Sequence, residues 1–140
     1  MALVHFDASA LVKLCVPESG SDLASALWNR AYVVITSRLA DVELRATLAA
    51  GRRAGVLDTT THRRAVEQWD TLWPALHRVE VTDRLAADAA ELTAGPHPLR
   101  GADAVHVASA LAVARGAGIV AAWDERVATA ARSHGLRVLP

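Results

Sequence analysis

Only one cysteine, Cys15, stands in the 140 residues. A single thiol excludes an intramolecular disulfide and a zinc site built from cysteines of one chain, and it fits a reducing, cytoplasmic setting. Net charge is also missing, because fifteen basic and fifteen acidic side chains cancel. Without a global field to recruit a polyanion, any nucleic-acid contact must be a local patch. There is no basic run interleaved with aromatics of the kind that binds single strands, no low-complexity tract, no internal repeat and no linker. Residues 104–123 have about the length of a membrane span, yet Arg115, Gly116 and Gly118 break the segment into a helix end and a short strand. No membrane partner is expected. The first residues show neither a basic region nor a cleavage site, so no targeting segment is expected either.

What is present is a composition that is 52% apolar and 21% charged. That is the balance of a globular protein, and the length suits one domain spanning residues 1–140. Strand-like runs alternate with helical periodicity along the chain. Residues 2–6 read as a strand leading into a helix from Ala8, and a second helix runs from about Asp22 to Arg30. Residues 32–35 form the next strand, and Thr36-Ser37 is expected to cap a helix running from Arg38 to about Arg53. Thr59 or Thr60 is expected to cap the following helix, whose ridge of Val66, Trp69, Leu72, Trp73 and Leu76 reads as core or dimer surface. A third strand over 77–81, a helix carrying Leu85, Ala89 and Leu92, a helix around Asp103, a strand over 119–123, a helix carrying Val127 and Ala130, and a strand over 136–139 complete the pattern. The expected fold is a three-layer α/β/α arrangement around a mostly parallel sheet of about four to five strands.

Four carboxylates sit where such a fold places ligands. Asp7 and Asp124 follow strands, and the carboxyl ends of strands are where open α/β sheets bind their ligands. Glu43 and Asp103 lie in early turns of helices entering from that side, each among apolar neighbours. Glu43 shares its stripe with Leu39, Val42, Ala46 and Ala50, and Asp103 with Val107, Ala110, Leu111 and Ala114. Two like charges about 4 Å apart repel by about 4 kcal/mol at an effective dielectric near 20, so such a cluster calls for a cation. Oxygen ligands favour Mg2+ or Mn2+, ions suited to phosphoryl chemistry. His106 and His5 read as packed histidines rather than ligands. Each acid also has a plain structural reading: Asp7, Asp103 and Asp124 as helix-start residues and Glu43 as a partner of Arg38.

The residues Asp7-Ala8-Ser9-Ala10-Leu11, Ser37 with Glu43-Leu44-Arg45, Leu99 to His106, and Trp123-Asp124 with Gly135 to Val138 together resemble a PIN domain of the VapC toxin type, over essentially the whole chain. The resemblance implies a metal-dependent ribonuclease, a homodimer, and a cognate antitoxin protein that neutralises it. It implies that Asp7, Glu43, Asp103 and Asp124 are the acidic quartet and that Ser9 supports the metal site from outside the ligand set. Trp123 departs from the smaller or phenyl side chain more usual there and is expected to narrow the site. Lys13, Arg38, Arg45 and Arg100 flank the acids and are the expected RNA contacts. Two other functions compete with this reading. One is a phosphoryl-transfer or receiver domain, which wants a second aspartate near the first, whereas Phe6 and Ser9 occupy those places. The other is a catalytically silent module of the same fold that binds a partner protein or RNA.

Overall fold

The computed structural model describes residues 2–140. Five strands form one parallel sheet: β1 (Leu3–Phe6), β2 (Val33–Ser37), β3 (His77–Val79), β4 (Ile119–Ala121) and β5 (Arg137–Leu139). Their order is β3-β2-β1-β4-β5. Seven helices cover it: α1 (Ala8–Cys15), α2 (Ser21–Arg30), α3 (Ala40–Arg53), α4 (Thr59–Leu72), α5 (Asp83–Thr93), α6 (Gly101–Val113) and α7 (Glu125–Ser133), with a 3-10 turn over Trp73–Ala75. None of these helices is long and apolar enough to cross a membrane.

Strand β1 divides the core by its period of two. Val4 and Phe6 face a cluster with Leu11 of α1, Leu44 and Leu48 of α3 and Trp69 of α4. Leu3 packs toward the other side, where Val120 and Ala122 meet Val107 and Ala110 of α6 and Val127 of α7. The alternation makes three layers, as expected, with β1 in the middle of the sheet. Because all five strands run in parallel, their carboxyl ends share one edge, and the chain leaves that edge on opposite sides at β1 and β4. A crevice at such a reversal of strand order is the natural ligand site of an open α/β sheet.

Several local expectations change. Asp58, rather than Thr59 or Thr60, caps α4, its carboxylate accepting the Thr61 N–H at 2.7 Å; being one residue earlier, it places its oxygen over the third helical amide. Thr36 and Ser37 are the last residues of β2, and Ser37 serves as the expected cap in part, its hydroxyl accepting the Leu39 N–H at 3.2 Å where the chain turns into α3. The Thr36 hydroxyl donates to the Phe6 carbonyl at 2.7 Å, tying β2 to β1, and α3 starts only at Ala40. The ridge of α3 is Ala40, Leu44 and Leu48 rather than the stripe of Glu43. Val42 is 63% exposed, and Ala46 and Ala50 are exposed as well. The alanines made both faces of α3 look apolar, and the leucines decided which one packs. For α6 the expected stripe is buried, with Val107, Ala110 and Ala114 in the core. Trp69 is wholly buried, its indole N–H donating to Asp41 at 2.8 Å, which makes it core.

Candidate functional site

Asp7 ends β1 and begins α1. Its Oδ1 accepts the Ala10 N–H at 2.9 Å, capping the helix, and the Ser9 hydroxyl at 2.6 Å. The same hydroxyl accepts the N–H groups of Trp123 at 2.9 Å and Asp124 at 3.2 Å. Ser9 thus spends its one donor and both lone pairs joining the end of β1 to the end of β4. Burial pushes the Asp7 carboxyl up to about 6, and the Asp124 charge adds to that rise; the Ser9 hydroxyl, the Ala10 amide and the His106 charge work against it.

Asp124 follows β4 and caps α7, its Oδ1 accepting from Arg126 N at 2.9 Å and Val127 N at 3.2 Å. The plain reading as a helix start therefore describes half of this carboxylate. Asp103 stands in the first turn of α6 with its side chain 12% exposed, and Arg100 donates to its Oδ2 at 3.2 Å. The same guanidinium comes to 4.0 Å from Asp124 Oδ2, so one arginine spans two acids. Glu43, on α3, meets the His106 ring of α6, with Oε1 and Nε2 2.5 Å apart. Burial works to lower the His106 pKa, but the Glu43 hydrogen bond and the charges of Glu43, Asp7 and Asp103 outweigh it, and the net direction is up.

The structure therefore draws Asp7, Glu43, Asp103 and Asp124 from four elements to one edge. They are linked through Ser9, His106 and Arg100. His106 is packed, as expected, against the edge of His5 with ring centroids 6.2 Å apart. Its hold on Glu43 lay beyond the sequence, since those residues are 63 positions apart. Burial, then the His106 charge, lowers His5 to about 3, and neither ring nitrogen has a partner, so His5 is a neutral core group.

The donor chemistry suits a hard divalent ion. Each of the four carboxylates commits one oxygen to hydrogen bonds and leaves the second without one among the described residues, Asp124 Oδ2 having only the long Arg100 approach. Anionic oxygens without hydrogen bonds, gathered at one sheet edge, are the donors that Mg2+ or Mn2+ binds. As the side chains stand, no three His, Cys, Asp or Glu groups among the described residues already converge on one point. The fit is thus one of donor type and placement.

Trp123 follows β4, beside Asp124. Its indole lies against the turn before α2, where a Cβ on Gly20 would come within 2.7 Å of Nε1, and Lys13 Nζ sits 5.3 Å from its ring centroid. The four expected RNA contacts are all held by carboxylates. Lys13 bonds Glu18 at 3.1 Å, Arg45 bonds Asp41 and Asp70, Arg38 bonds Glu80, and Arg100 bonds Asp103. A hollow of about 990 Å3 opens elsewhere, between α5, α6 and α7, with Leu85, Leu92, Leu99 and Leu111 in its wall. None of the quartet lines it, and its own acids, Glu80, Asp88 and Glu91, stand in a wall of leucines and alanines away from the strand ends that carry the quartet.

Comparison with known proteins gives concordant findings. The family model described as PIN domain matches residues 4–133. Ribonuclease VapC49 of Mycobacterium tuberculosis is 49% identical over 140 residues, covering 100% of this chain and 96% of the relative. Ribonuclease VapC46 of the same species is 32% identical, covering 99% of this chain and 98% of its own. Among solved structures, FitAcB from Neisseria gonorrhoeae superposes with a TM-score of 0.72 at 17% identity, over 98% of this chain and 96% of that one. VapC20 of M. tuberculosis, a toxin that cleaves the sarcin-ricin loop, superposes with a TM-score of 0.69 at 23% identity, over 91% and 94%. At these identities the two superpositions show a shared fold.

Proposed function

The chain belongs to the PIN domain family, and from that premise we propose that it is an Mg2+- or Mn2+-dependent endoribonuclease, the toxin of a toxin-antitoxin pair. The observation that carries the reading is the set of four carboxylates, from four elements of the chain, each with an uncommitted oxygen at one sheet edge. Its full-length relatives named ribonucleases support the substrate class. Asp7, Asp103, Asp124 and Glu43 are the residues that would hold the ion. A bound divalent ion lowers the pKa of a water and offsets charge on the phosphate oxygens.

The chain's own residues prepare that chemistry. Ser9 fixes the Asp7 carboxylate and locks the β1 end to the β4 end, so two carboxylates keep a set spacing. His106 donates to Glu43 and restrains it toward the crevice. Arg100, spanning Asp103 and Asp124, is placed to exchange those carboxylates for a phosphate once a cation satisfies them. Lys13, Arg38 and Arg45 are further phosphate contacts in this reading. The proposal extends to a single domain over residues 1–140, a cytoplasmic homodimer, and an antitoxin protein partner. The antitoxin is supported by a solved relative, VapBC2 of Rickettsia felis bound to a promoter DNA fragment.

The test is cleavage of RNA by purified protein. Cutting should require Mg2+ or Mn2+, stop with EDTA, and stop in Asp7→Asn. Cutting that survives EDTA and Asp7→Asn sinks the metal mechanism. No cutting and no metal binding by calorimetry would favour the silent interaction module.

A further inference from the structure

The outer edge of the sheet carries a second cluster of cationic groups that the quartet does not use. Trp73 heads the 3-10 turn before β3, and two guanidinium groups lie against its indole, with Arg78 Cζ 5.0 Å and Arg38 Cζ 5.9 Å from the ring centroid. Arg78 Nη1 donates to the Trp73 carbonyl at 2.9 Å. Arg38 donates through Nε to both Glu80 oxygens at 3.1 and 3.0 Å, and its Nη2 also contacts Glu80. Arg38, Arg78 and Glu80 line an open hollow of about 310 Å3, floored by the turn from Pro74 to His77. Unlike Lys13, Arg38, Arg45 and Arg100, Arg78 has no carboxylate partner within salt-bridge distance among the described residues.

The register fixes where this hollow lies. His5 pairs with Ile35, and Ser37 with Val79, so Asp7 at the end of β1 is level with Ser37 and Val79. Arg38 N donates to the Val79 carbonyl at 3.0 Å, continuing the ladder one step past the strand ends. The hollow therefore runs along edge strand β3, from the turn that precedes it to Arg38 and Glu80 just past the carboxyl ends of β2 and β3, and that last end lies on the rim that also carries the quartet, about 5 to 10 Å from β1 at one to two strand spacings. A guanidinium held over an indole face by cation–π attraction loses part of its freedom, and its planar fork matches a phosphate. After their existing bonds, Arg38 keeps Nη1 and Arg78 keeps Nε and Nη2 without hydrogen bonds among the described residues. Two cations against one carboxylate leave the hollow positive.

We propose that Arg38 and Arg78, stacked on Trp73, form a subsite for a phosphodiester of single-stranded RNA remote from the bond that is cut, with Glu80 restraining Arg38 and opposing the phosphate. The proposal rests on the ribonuclease reading above. It makes Arg78 and Trp73 binding residues that grip and align the strand and take no part in bond cleavage.

The experiment measures binding of a fluorescent single-stranded oligoribonucleotide by anisotropy, with full-length Asp7→Asn protein in Mn2+ to prevent cutting. Adding Arg38→Gln and Arg78→Gln should weaken binding about tenfold and reduce the slope of log affinity against log salt by about 0.7, the value of one phosphate contact on a single strand. Glu80→Gln, which removes a surface carboxylate and tests the site by gain, should tighten binding about two- to fivefold. In the cleaving protein, the arginine variants should raise KM with kcat unchanged. Unchanged affinity and salt slope in the arginine variants, with the Asp7→Asn parent binding RNA, overturns the subsite alone. Displacement of the RNA by oligoglutamate at equal charge reassigns the hollow to an acidic protein and also overturns it. Failure of the parent to bind RNA at all overturns the ribonuclease reading with it.

Discussion

Asp7 is held ionised at an energetic cost that a proton or a cation removes. Its carboxyl titrates near 6 in the folded chain against an ordinary 3.8, a gap of about two units and so about 3 kcal/mol. A raised carboxyl favours the fold below the ordinary value, and that contribution is lost as pH rises from about 4 through 6. Asp7→Asn keeps the oxygen that accepts from Ser9 and Ala10 and removes the charge. Metal-free Asp7→Asn protein should therefore melt above the native chain at pH 8, by up to about 3 kcal/mol, and the two should converge near pH 4. Denaturation scans in EDTA across that range check this, and equal stability at pH 8 contradicts the buried charge. Asp124 divides its labour differently. Asp124→Asn retains a good cap and should keep stability while losing Mn2+ affinity, whereas Asp124→Ala should lose the affinity and also about 1 kcal/mol of stability. Calorimetry and melting together separate the two roles.

At the scale of elements, the turn into α2 is the tightest joint around the crevice. Gly20 has φ +91°, and a Cβ there would stand 2.7 Å from the Trp123 indole nitrogen. Gly20→Ala should cost about 1 to 3 kcal/mol from the backbone conformation alone, with more from displacing Trp123, and a red-shifted or weakened tryptophan signal should accompany the lower melting temperature. Nothing in Pro17-Glu18-Ser19-Gly20 reveals that a tryptophan a hundred residues away would close on it. What was legible at this scale was local. Apolar and β-branched runs, one alternating stretch and the 3.6 period located all five strands and all seven helices, and Gly55 and Gly135, at φ +75° and +83°, follow the ends of α3 and α7. The errors fall where two neighbouring signals compete, as at Asp58 against Thr59, or where alanines make two helix faces equally apolar, as in α3. The candidate acids were legible because a carboxylate in an apolar stripe breaks the pattern. The His106 link to Glu43 and the Arg78 stack on Trp73 break no local pattern, since each arises only from packing.

The whole molecule balances a repulsive edge against two apolar layers. Filling the site should stabilise it by mass action, about 2.7 kcal/mol when free Mn2+ is a hundred times its Kd. Protons compete for Asp7, so the rise in melting temperature on adding Mn2+ should be largest above pH 7 and shrink as pH falls through 6. A metal-induced rise that does not depend on pH would place the ion away from Asp7. The strand order β3-β2-β1-β4-β5 also dictates when the edge can exist. The chain builds β1, β2 and β3 outward in one direction, then crosses back over α5 and α6 to set β4 on the far side of β1. Asp103 arrives on that crossover, and Asp124 only after the return. During synthesis, a ribosome-bound chain that has exposed Asp7 and Glu43 holds half a ligand set with nothing opposite it. If the quartet holds the ion as proposed, competence should appear in one late step, when Asp124 emerges and Ser9 accepts its amide, and chains ending before residue 124 should show no Mn2+-dependent cleavage.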